Sequence, residues 1–131
     1  MTTIANHDAF GPTLMEFEST PLWKRTLGPR AHDQHAAARD RLRVEFLNFR
    51  SNVAHLVAEI PQDLRDFTVH DVTHLDALWE MAAIAAGEDY PITPLEGFVL
   101  GGAFLLHDAG MSLAGYPEGL TSLRREKEWK D

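Results

Sequence analysis

The sequence predicts an all-α protein, a helical bundle of about five to six helices in a single domain over residues 1–131. Three observations predict it. Apolar residues recur at alternating spacings of four and three through a long stretch, helix-start signals recur along the chain, and no segment alternates apolar with polar residues as a half-buried strand would. A chain of 131 residues is long enough for one real core and short for two. There is no internal repeat and no low-complexity tract.

The elements follow in order. Thr13-Leu14-Met15-Glu16 has the form of a capping box and Thr20-Pro21-Leu22 that of a cap with Pro at the first helical position, so the first thirty residues read as short helices ending near Gly28-Pro29. From about Ala31 to Glu59, Leu42, Phe46, Phe49, Val53, Leu56 and Ile60 form one stripe of a long amphipathic helix that Pro61 ends. The stripe can pack internally or pair two copies in a homo-oligomer. Thr68, with Asp71 three residues on, is expected to cap a helix that runs through Leu75, Leu78, Trp79 and Ala82 to a glycine terminator at Gly87. Thr93-Pro94-Leu95-Glu96 repeats the same grammar and starts a helix that is apolar on nearly every side up to Leu106. That helix is expected to sit centrally, with another backbone close to Gly101 and Gly102 and with Gly110 as its stop. Gly110 to Gly119 reads as a loop, and Leu123 to Asp131 as a charged helix with Glu126 and Lys130 favourably spaced.

The bulk composition excludes several classes. With 44% apolar and 24% charged residues the chain is neither disordered nor a membrane protein, and its longest apolar stretch falls far short of the roughly 20 residues needed to cross a bilayer. A net charge of −8 makes nucleic acid an unlikely partner, because backbone binding rests on clustered Lys and Arg. The absence of cysteine removes disulfides and thiolate zinc sites, and the N-terminus lacks a signal-peptide pattern, so a cytoplasmic location is expected.

His107-Asp108, closing an apolar run, is the most informative pair. A histidine suits a helix C-terminus, but an aspartate there opposes the dipole, and both are costly beside a core unless used. Imidazole and carboxylate together suit one metal ion. Upstream, His70 and His74 are four residues apart, a spacing that sets them one turn apart on a shared helix face. A metalloprotease would carry Glu directly after the first histidine; this chain has Asp71, and the zincin reading is weak. His7, His32, His35 and His55 read as structural or solvated, His35 as an extension of the apolar stripe. The mixed nitrogen and oxygen donors favour a divalent transition metal, Mn, Fe, Ni, Co or Zn.

The run Leu105-Leu106-His107-Asp108-Ala109-Gly110-Met111, with Phe67-Thr68-Val69-His70 to His74 upstream, resembles the HD-domain superfamily of metal-dependent phosphohydrolases. The likeness spans Phe67 to Gly119 and is nearest to HD domains at the front of larger bacterial proteins, which implies further domains C-terminal to this chain. It implies an HD-domain-like helical bundle with His74, His107 and Asp108 as metal ligands and a small phosphorylated substrate, a nucleotide or related phosphate ester. Asp108 would bridge metals or orient water. His70 would contact phosphate, protonate the leaving group, support the ligands from behind or bind a second ion. Such an ion lowers the pKa of a bound water toward ~7 and neutralises charge on phosphoryl oxygens. The family adds an aspartate on a later helix, whereas here only Asp131 follows Asp108. Either the chain is the front piece of a longer protein, or water or Asp71 fills that place. The rival reading is an HD fold kept as a regulatory or scaffold module without turnover. Tyr116 in the adjoining loop could stack on a base, but an ordinary connector is favoured, and Arg124 and Arg125 beside Glu126 and Glu128 read as a solvated face.

Overall fold

The computed structural model describes residues 16–60, 71–112 and 116–125, and among these the regular structure is entirely helical. A 3-10 turn at Phe17–Ser19 leads into α1 (Pro21–Thr26), α2 (Ala36–Val57), α3 (Val72–Ala86) and α4 (Pro94–Leu106), followed by a 3-10 turn at Ala109–Met111 and the single turn of α5 (Leu120–Leu123). Four substantial helices among the described residues are slightly fewer than the five to six expected. The capping box at Thr13 and the Glu126/Lys130 helix lie outside the described residues. No helix among those described is long and apolar enough to cross a membrane.

Local chemistry explains the starts. The Thr20 hydroxyl accepts from the Trp23 N–H at 3.3 Å, and Pro21 at the first position has no N–H to satisfy. α2 begins at Ala36, five residues later than expected, because Asp33 holds the chain in a turn. Its carboxylate accepts from the His35 N–H at 2.9 Å and from Arg39 Nε at 2.6 Å. His35 is thus an exposed N-terminal cap position and no part of the stripe. The stripe itself faces inward: Phe46, Val53 and Ile60 are buried, and Leu42 and Phe49 pack against them.

The core sits where α1 to α4 meet. Trp23, Phe46 and Trp79, from three different helices, stand nearly edge-to-face or tilted at centroid separations of 5.3 to 5.6 Å, with Phe17 against Trp23 at 5.0 Å. Gly101 makes room for this cluster. A Cβ there would lie 2.4 Å from Trp79 Cζ2 and 2.6 Å from Phe46 Cε2, so aromatic side chains, not the expected backbone, approach it. At Gly102 the nearest atom, Phe49 Cε1, is at an ordinary 3.7 Å.

α3 and α4 form an antiparallel pair. Gly87 ends α3 at φ +69° and ψ −177°, a conformation open to glycine alone, and Arg25 Nη1 clips the turn by donating to the Gly87 and Glu88 carbonyls, each at 2.7 Å. The Thr93–Glu96 capping box that starts α4 is complete: Glu96 N–H to Thr93 Oγ1 at 3.2 Å, and Thr93 N–H to Glu96 Oε2 at 2.8 Å. α4 is not surrounded as expected. Leu95, Val99 and Leu106 are 61%, 64% and 53% exposed, so one whole face is open.

Candidate metal centre

Two helix ends build the site. α3 starts at Val72, not near Thr68, and Asp71 is its N-cap in extended backbone (φ −129°, ψ 177°), accepting from the His74 N–H at 3.0 Å. Sequence reasoning placed Asp71 inside the helix; two oxygen-bearing residues three apart compete for the cap, and the later one wins. Extended backbone at Asp71 means that no continuous helix carries His70 and His74, so the shared-face argument for that pair fails. His70 lies outside the described residues. His74 stands in the first turn of α3.

At the other end, α4 closes on the His107 N–H bonding the Ala103 carbonyl at 3.0 Å. The helix ends at Leu106, before Gly110. Asp108 then caps the 3-10 turn in which Gly110 sits. This tight turn takes the Asp108 carboxylate out of the helix C-terminus and folds it back toward α3.

The result brings the three expected ligands together. His107 Nε2 lies 3.0 Å and His74 Nε2 3.5 Å from Asp108 Oδ2, the imidazole centroids are 5.8 Å apart, and one donor atom from each residue lies within 4.8 Å of the others. His107 Nδ1 is 2.7 Å from the Phe104 carbonyl, to which an Nδ1–H donates, and Nε2 is the ring nitrogen that faces the carboxylate. The Asp108 carboxylate is only 12% exposed, whereas the imidazoles are 44% and 42% exposed, so the group is closed on the Asp108 side and open on the other. Both imidazoles meet this carboxylate through their Nε2 atoms. Two imidazole nitrogens and a carboxylate oxygen, mutually close and open to one side, are a donor set that suits a divalent transition metal.

The Tyr116 hydroxyl donates to the Gly110 carbonyl at 3.2 Å, and Arg125 pairs with Glu118 at 2.8 Å on the surface. Sequence reasoning missed two supports of the site. One is the Phe104 carbonyl, signalled only by its place one helical turn before His107. The other is the pair Arg50–Asp76, which joins α2 to α3 two residues from His74 through Nε–Oδ1 at 2.8 Å and Nη2–Oδ2 at 2.5 Å. The Arg50 guanidinium also lies over the Phe17 ring at 4.9 Å. Opposite charges on separate helices leave no spacing signal by which to find such a pair.

The chain belongs to the HD-CE family, whose model matches residues 64–131, just over half of its length, a stretch that includes His74, His107 and Asp108. No curated protein and no solved structure matches the chain.

Proposed function

We propose that this protein is a metal-dependent phosphohydrolase of the HD-domain superfamily, holding its cation at His74, His107 and Asp108 and acting on a nucleotide or related phosphate ester. The convergence of those three donors from two helices within 4.8 Å is the observation that carries the proposal, and family membership supports it. A divalent transition metal in this place supplies Lewis acidity toward a phosphoryl oxygen and lowers the pKa of a water at the site toward ~7.

The remaining work falls to the chain. His107 presents Nε2 because the Phe104 carbonyl holds its other nitrogen. Asp108, the most enclosed of the three, lies against both imidazoles and accepts a hydrogen bond from an attacking water. The open histidine side admits the ester. His70, assigned from sequence alone, contacts phosphate or protonates the leaving group.

A second reading, a metal-binding regulatory or scaffold module without turnover, draws on one observation: the ligand group among the described residues has three members. Elemental analysis of the purified protein together with a screen of nucleotides and phosphodiesters separates the two. The enzyme reading expects metal near one equivalent, loss of most of it in His74→Ala and Asp108→Ala, and hydrolysis that both variants abolish. Metal without hydrolysis selects the module, and unchanged metal in both variants overturns the site.

A further inference from the structure

α3 and α4 carry an exposed apolar face that the metal centre does not use. On α4, Leu95, Val99 and Leu106 lie at helical spacings of four and seven and are each more than half exposed. On α3, Met81 and Ile84, 62% and 71% exposed, continue a line that starts at His74 and passes through exposed Ala77. Tyr90, 60% exposed, stands in the connecting turn. Because the helices are antiparallel, the line on α3 begins at His74 and the line on α4 ends beside His107, at the same end of the pair. Isolated apolar side chains on a surface need no explanation, but six large ones on one helix pair mark an interaction surface.

The charges around this face identify the partner. Glu80, Glu88, Asp89 and Glu96 are exposed on the same two helices and the turn between them, and no Lys or Arg occurs in these elements. Glu96 remains ionised because the Thr93 N–H and hydroxyl hold its carboxyl below the usual range. Arg25 stands at one edge, in a cleft of about 390 Å³ that Ile84 and Glu80 also line, with Nη1 already given to the Gly87 and Glu88 carbonyls. A second copy would set acid against acid, and an anionic membrane surface would be repelled. An apolar stripe edged by Lys and Arg is complementary in both respects.

We infer that the α3–α4 face, with Met81, Ile84, Leu95, Val99 and Leu106 inside an acidic rim, docks a basic amphipathic helix of a partner protein. The helix lies along this face. Its apolar residues at i, i+3/i+4 and i+7 meet the face, and its flanking cations meet Glu80, Glu88 and Asp89.

The test uses the full chain and a labelled 18-residue peptide with Leu at those spacings and Lys elsewhere, followed by fluorescence anisotropy. A scrambled peptide of the same composition controls for bulk charge. Saturable binding is expected, at least tenfold tighter than to the scrambled peptide. A tenfold loss is expected in Leu95→Ser/Val99→Ser, and a several-fold loss at low salt in Glu88→Gln/Asp89→Asn, with far-ultraviolet circular dichroism and melting curves unchanged. Equal binding of both peptides overturns the inference, as does insensitivity to the Leu95/Val99 substitutions. So does a dimer in sedimentation, or capture by phosphatidylserine vesicles, that those same substitutions abolish, since a second copy or a membrane would then be the occupant.

Discussion

Asp71 and Gly101 show how much single residues control here. Asp71 caps α3 through the His74 N–H, so it fixes the backbone of a proposed ligand as well as starting the helix. Asp71→Ala is expected to cost about 1 kcal/mol of stability and to weaken metal binding, while Asp71→Asn, which can still cap, keeps both. Urea midpoints and metal titration check this; equal metal affinity in the alanine variant would mean that the cap does not position His74. Gly101→Ala puts a methyl group within 2.6 Å of Trp79 and Phe46, which cannot both retreat inside a packed aromatic cluster. Overpacking of this kind costs roughly 1–3 kcal/mol, readable in thermal unfolding. The glycine was visible in the sequence as an oddity in an apolar helix. That aromatic rings rather than a backbone fill its space depends on partners more than twenty residues away.

Between elements, the decisive contacts are polar and join helices far apart in sequence. Arg50 and Asp76 bind edge to edge, with side chains 26% and 17% exposed, and the carboxylate raises the guanidinium pKa above its ordinary value. The guanidinium therefore stays charged throughout the working pH range. Arg50→Met is expected to destabilise by about 1–2 kcal/mol through the stranded Asp76, and Arg50→Met/Asp76→Leu to recover part of that loss. A double-mutant cycle without coupling between the two sites would refute the link. Helix starts were the most legible part of this scale. Thr20-Pro21 and the Thr93–Glu96 box form as read, since a cap is decided by atoms within three residues. Thr93→Ala should cost about 1 kcal/mol. The start of α3 was misread because Thr68 and Asp71 offer equivalent local chemistry, and Asp71 is the residue that caps the helix.

For the molecule as a whole, charge and acidity come together. Arg39, donating to Asp33, holds that carboxyl below its ordinary value of 3.8, and the Thr93 N–H and hydroxyl hold Glu96 below 4.5. Carboxyls whose pKa falls on folding stabilise the fold above their unfolded values, and that stabilisation disappears as pH drops through the folded ones. Unfolding midpoints are thus expected to change little through these two groups from pH 7 to about pH 5 and to fall below about pH 4. An unchanged midpoint at pH 3 would show that neither contact matters. The sequence by itself determined the all-helical class, the caps at Thr20 and Thr93, the inward stripe of α2 and the identity of three candidate ligands, because periodicity and side-chain chemistry are local properties. Tertiary structure alone decided that His74 meets His107 and Asp108, that Arg50 ties α2 to α3, and that α4 leaves a face open. Each of these depends on which surfaces meet across a turn or a core, and an apolar helix reads the same whether its neighbours cover all of it or only half.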